Sequence, residues 1–160
     1  NLIKNRIMGL ISFIKNAGAK IFKSEEKREE EKANMITEHI KKFGFDVSRV
    51  SVAVDDEKVV LTGSVDTLSN KNKIIVTAGN VEGISVVEDH LLVTTPEPVA
   101  PPEPEKQFYT VKKGDYLSKI AKEVYGDAKK YPIIFEANKP MLKDPDLIYP
   151  GQVLVIPPLT

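Results

Sequence analysis

The 160-residue chain has no cysteine and no tryptophan. Without cysteine there is no disulfide framework, no zinc–thiolate site and no thiol nucleophile. No apolar run approaches the 18 residues that a membrane-crossing helix requires. Net charge is also missing: 23 basic and 23 acidic side chains cancel, which argues against a strongly basic nucleic-acid binder or an acidic solvating tail. What remains, with 41% apolar and 29% charged residues, is the balance of a folded soluble protein. The zero conceals a partition. Residues 1–93 are neutral, residues 94–105 carry three acids and no base, and residues 106–160 carry nine bases and six acids.

Five of the eleven prolines fall in TTPEPVAPPEPEK, residues 94–106. Proline fixes φ and lacks an amide donor, so this stretch reads as a semi-rigid spacer between two domains. Aromatic usage changes across it: all five tyrosines follow residue 108, whereas four of the six phenylalanines precede residue 46. Each domain is small, and each is expected to be only modestly stable alone.

The first domain opens with an apolar stripe, Ile3, Ile7, Leu10, Ile14, Ala17 and Ile21, whose spacing predicts an amphipathic helix over residues 1–23 with Gly18 at or near a helix end. A second helix is expected from Ser24, its cap, to Gly44, with Ala33, Ile36, Ile40 and Phe43 buried. The period then changes to two. Val50, Val52 and Val54 alternate with small residues, Asp55–Glu57 form a polar turn, and Val59, Leu61, Gly63 and Val65 continue the pattern as a β-hairpin. A helix over 67–80, capped by Thr67 or Ser69, and a strand over 84–93 complete an α–α–β–β–α–β domain of α+β class, its helices on one face of a sheet. The second domain reads as β–α–α–β: a strand at 108–112, a helix ended by Gly126, a short helix over 128–138 and a last strand, Val153 to Ile156.

The second domain resembles a LysM domain through YTVKKGDYLSKIAKEVYG (109–126), FEANKPML (135–142) and IYPGQVLVIP (148–157). The first is similar to a BON domain through VVLTGSV (59–65) and IVTAGNVEGISVVEDHL (75–91). In that order, with a short N-terminal segment and linker, they resemble the bacterial BON–LysM potassium-binding proteins. The resemblance runs from Met8 to residue 157. It divides the chain into an N-terminal helix (1–23), a BON domain (24–93), a linker (94–106) and a LysM domain (107–160). Residues 1–7 precede the family's usual start and are read as a leader or added segment.

The resemblance implies a cytoplasmic, monomeric, non-enzymatic ion sensor that binds K+ and changes how its two domains pack. It puts the ion on the main-chain carbonyls of Ile14, Lys15, Ala17, Gly79, Val81 and Ile84. Such a site is physically reasonable. Potassium is large, singly charged and weakly hydrated, so a cage of neutral carbonyl dipoles suits it, whereas carboxylates would favour calcium or magnesium. IKNAG at 14–18 reads as a helix end with unpaired carbonyls, and GNVEGI at 79–84 has two glycines that free the backbone to curl.

Two other functions compete. A secreted, periplasmic binder of N-acetylglucosamine glycans such as peptidoglycan would use the LysM groove at Gly114, Asp115, Tyr116, Leu117, Asn138, Pro140 and Ile148. Its leader would be IMGLISFI, followed by Ala17-Gly18-Ala19 as a cleavage-like site. A membrane-surface module would set Lys4, Arg6, Lys15, Lys20 and Lys23 of the first helix against anionic phospholipid. His39 and His90 lack a serine, cysteine or paired acid at catalytic spacing.

Overall fold

The computed structural model describes residues 9–22, 28–95 and 107–159. The elements of the first domain are β1 (Leu10–Ser12), α1 (Glu29–Lys42), β2 (Val50–Asp55), β3 (Lys58–Val65), α2 (Leu68–Gly79) and β4 (Val86–Val93). Those of the second are β5 (Phe108–Thr110), α3 (Leu117–Tyr125), a 3-10 turn at Ala128–Lys130, α4 (Tyr131–Ala137) and β6 (Val153–Val155).

Alternation of valines makes the β2–β3 hairpin, paired from Val50↔Gly63 to Asp55↔Lys58 across a two-residue turn. Asp56 takes a left-handed backbone there, φ 56°, a conformation that aspartate tolerates in tight turns. The α2 crossover returns the chain so that β4 lies parallel to β3, from Lys58↔Val86 to Val65↔Val93. Thr67 caps α2 as expected, its hydroxyl accepting from the Asn70 N–H at 3.1 Å. Helix α1 begins at Glu29, later than the sequence suggests, and Ser24 lies outside the described residues. The Arg28 N–H donates to the Glu31 carboxylate at 3.1 Å, and three glutamates face the positive end of the helix dipole.

The N-terminal segment departs from the expected helix. Over residues 10–22 there is no helix: Leu10–Ser12 form a strand antiparallel to β4, with Ile11↔Val87, giving the sheet order β1-β4-β3-β2. The helical stripe and a period of two compete within the same residues. Burial shows which prevails: Ile11 and Phe13 point into the core at 7% and 6% exposure, whereas Leu10, a stripe residue, is 66% exposed. The open edge of β4 offers a ladder of backbone hydrogen bonds, and pairing there outweighs the weak local preference. Residues 1–8 of the expected helix lie outside the described residues.

The second domain follows the βααβ expectation, with Gly126 at φ 79° ending α3. Strand β6 pairs with β5, Val153↔Thr110 to Val155↔Phe108. Its two faces serve different cores. Leu154 and Ile156 join Val111, Leu117, Ile120 and Ile134 in the second domain's core, whereas Val153 and Val155 are buried with the core of the first domain. A strand buried on both faces reads as a continuous apolar run, and VLVI at 153–156 is one. The expectation of a separate core for each domain is therefore modified: the first core is completed by two valines of the second domain.

Candidate functional site

The segments 13–19 and 79–85 are separated by 59 residues of chain and are laid side by side in the fold. The Phe13 N–H donates to the Ser85 carbonyl at 2.8 Å, the Gly83 N–H to the Lys15 carbonyl at 2.6 Å, the Ala19 N–H to the Asn80 carbonyl at 2.9 Å and the Glu82 N–H to the Ala19 carbonyl at 2.9 Å. Ala19 and Val81 form a parallel bridge. The six residues expected to offer carbonyls thus belong to two adjoining strips of backbone.

The reason for carbonyls there differs from the one the sequence suggested. Residues 14–18 are a turn, not a helix end, and the Ala17 N–H closes on the Ile14 carbonyl at 3.1 Å. The helix terminus at this place belongs to α2, which ends at Gly79 with Asn80 as its cap. Its last turn carries no basic side chain, so no cation of the helix itself offsets the negative end of the dipole. The Ile14, Lys15 and Val81 carbonyls accept from Ala17, Gly83 and Ile84 respectively, and each keeps a second lone pair. The Lys15 ammonium turns aside to Glu57, 3.4 Å away. The Glu57 carboxyl is held below the usual glutamate range by the Ser85 hydroxyl and then by Lys15.

Close approach requires glycine at two points. At Gly18, φ is 106°, and a Cβ would fall 2.5 Å from the Asn80 carbonyl carbon. At Gly79 a Cβ would fall 2.2 Å from the Phe13 ring. The second domain abuts both strips. A Cβ on Gly151 would come 2.7 Å from the Ala17 Cβ and 3.2 Å from the Ile14 Cβ, and the Asn80 side chain bonds to Val153. Asn72 Nδ2 adds a buried 3.0 Å hydrogen bond to Gln107 Oε1.

Beside this contact lies a cavity of about 240 Å³, lined in part by Val76, Asn80, Met141, Tyr149 and His39. His39 Nδ1 is buried with no hydrogen-bond partner among the described residues. Burial, then the neighbouring Lys42, pushes the His39 pKa below its usual 6.5. The folded state therefore resists a proton that the unfolded chain accepts near pH 6.5. Stability is fully present above that pH and falls as the pH drops below it. Thermal melts from pH 7 to pH 5 should show this decline, and His39→Gln should flatten it; an equally steep decline in the variant refutes the assignment. His90 is placed elsewhere, with Nε2 2.5 Å from Glu88.

The residues expected to line a glycan groove divide. Leu117 and Asn138 are buried: Leu117 belongs to the core, and the Asn138 amide is engaged by Ile134 and Val155. Gly114 and Pro140 are exposed, Ile148 is half-buried against the core, and Tyr116 stands 58% exposed. Burial opposes the charge of Asp115, but the Lys112 N–H, the Tyr109 hydroxyl and Lys119 hold its pKa below the usual range. For the membrane-surface reading, the basic helix it needs is not formed over residues 10–22. Lys4, Arg6 and Lys23 lie outside the described residues.

The BON domain family matches residues 29–95 and the LysM domain family residues 109–157. The potassium binding protein Kbp of Escherichia coli is 45% identical over 153 residues, covering 94% of this chain and 99% of that protein. The chain belongs to that BON–LysM family. A protein of Deinococcus radiodurans is 36% identical over 113 residues, 68% of this chain and 44% of its own length. An esterase of Mycobacterium tuberculosis is 49% identical over only 53 residues, 11% of its length. That stretch is about the size of a LysM domain, and BON and LysM domains are non-catalytic binding modules.

Side-chain reasoning missed Asn80 and Phe13. Asn80 sits unremarked between Gly79 and Val81, and nothing in its neighbours names its partner. Phe13 would have emerged from reading ISF at 11–13 with a period of two.

Proposed function

We propose that this chain is a cytoplasmic K+ sensor. In this reading the ion is held by the main-chain carbonyls of Ile14, Lys15, Ala17, Gly79, Val81 and Ile84, and its binding stabilises the first domain and the packing of the second against it. The observation that carries the proposal is the side-by-side placement of the 13–19 and 79–85 strips at the end of α2, where backbone dipoles gather. The relative named for potassium binding, matched along 94% of the chain, supports the choice of ion.

The mechanism is a staple. An ion held by both strips favours the state in which they are adjacent, and so binds the folded domain and not the unfolded chain. Both strips also touch the second domain, through Gly151 and Val153, so an ordered site presents an ordered docking surface. Selectivity over Na+ follows from the number and field of carbonyls around a larger ion.

Thermal melting in KCl and NaCl at equal ionic strength tests this. With K+ at a hundred times its dissociation constant, binding should add about 2.7 kcal/mol. Superimposable melts in the two salts reject the proposal.

A further inference from the structure

Strand β6 has one edge on β5. The Gln152 carbonyl accepts from Val111 and the Ile156 N–H donates to Gln107, so residues of even number face that partner. The backbone groups of Val153 and Val155 face the opposite way, where no strand lies among the described residues. Two asparagine side chains take the place of a strand. Asn138, from the same domain, accepts from the Val155 N–H at 2.8 Å and donates to its carbonyl at 2.9 Å. Asn80, from the other domain, accepts from the Val153 N–H at 2.9 Å and donates to its carbonyl at 2.8 Å. A carboxamide carries the donor and acceptor of a peptide group side by side, so each asparagine completes the edge as one residue of a strand would.

Asn80 is held firmly from its own side. Its N–H donates to the Val76 carbonyl at 2.9 Å in the last turn of α2, and its carbonyl accepts from Ala19 at 2.9 Å. Gly18 packs so closely on its carbonyl carbon that no side chain fits between them. The residue thus sits between the two strips of the proposed ion site while its side chain reaches into the second domain.

We infer that Asn80 is the latch that converts ion occupancy into domain docking. The inference rests on the ion reading and adds to it the residue through which the second domain senses the site. When strips 13–19 and 79–85 are ordered, the Asn80 carboxamide is aimed to close the β6 edge. When they are loose, Val153 loses its partner and water takes its place. Linkage makes the coupling reciprocal: an intact latch tightens ion binding as much as the ion tightens docking.

The test uses the full chain and two substitutions on opposite sides of the contact. Asn80→Ala removes the carboxamide. Val153→Pro removes the N–H that donates to the Asn80 carboxamide from the other side of the contact, and leaves the sequence of residues 79–85 unchanged. Each variant is first checked by circular dichroism for native helix content. Potassium-dependent melting then reports ion binding, and small-angle scattering in KCl against NaCl reports docking. Both variants should keep a K+-dependent rise in melting temperature but lose the K+-dependent fall in radius of gyration, with the K+ midpoint about five-fold higher or more. If both contract in K+ as the unaltered chain does, the latch is overturned while the ion reading stands. If Asn80→Ala loses the melting response and Val153→Pro retains contraction, Asn80 belongs to the cage and is no latch. An unaltered chain that responds alike to KCl and NaCl overturns the ion reading, and the coupling role with it.

Discussion

Gly79→Ala is expected to destabilise the first domain by about 3 kcal/mol, although alanine is the better helix former by roughly 1 kcal/mol. Propensity and packing disagree here, and packing prevails. The Gly79 backbone is not left-handed, so alanine meets no conformational barrier. The obstacle is the Phe13 ring, three of whose atoms would lie 2.2–2.3 Å from the new Cβ. A ring that buried cannot swing aside without leaving the core, and losing a buried phenylalanine costs on the order of 3–5 kcal/mol. Urea unfolding of the variant measures the effect, and a stability equal to or above that of the unaltered chain refutes the contact. In the double substitution with Phe13→Ala the two losses should not add, since the second removes the obstacle to the first. Under the ion reading the variant should also respond weakly to K+, because moving Phe13 disturbs the turn that carries Ile14 and Lys15.

Asn138→Ala should cost the second domain about 3 kcal/mol. The Asn138 amide donates to the Ile134 carbonyl at 2.7 Å and to that of Val155 at 2.9 Å, and accepts from the Val155 N–H at 2.8 Å. Alanine would strand the N–H and carbonyl of a residue only 4% exposed, and an unsatisfied buried group costs about 1–3 kcal/mol. A domain of some fifty residues has little stability to spare. Circular dichroism should show a lower first transition, while any potassium response of the first domain persists in part. Native stability in the variant would refute the role assigned to the Asn138 amide.

The regular elements were legible in the sequence wherever one period ruled. Valines at 50, 52 and 54 leave no competing reading, and the two cap candidates Thr67 and Ser69 bracket the start of α2, of which the structure takes Thr67. Leu10, Ile14 and Ala17 were misread because ISF carries both periods within three residues, and the decision lies in an unpaired β4 edge that only the assembled sheet provides. The joint use of β6 was written in VLVI, where every position is apolar, yet the second core that claims the valines is distant in sequence. The carbonyl positions have the least sequence signal of all. A backbone ligand has no side-chain identity, so only the glycines that permit close approach mark it, and glycines mark turns just as well.

The pairing of β1 with β4 also imposes an order of events. Strand β1 leaves the ribosome before the rest of the domain and cannot be placed until residue 88 has been made, because its ladder partners are Val86–Glu88. The β2–β3 hairpin and its flanking helices have nearer partners and smaller closure costs, so they have the earlier opportunity to assemble. The N-terminal strip is thus a seam sewn after the cloth is cut. If potassium clasps that seam, and the seam closes after the main folding barrier, it acts on late contacts. Its effect would then lie chiefly in how slowly the finished domain comes apart, and little in how fast it forms.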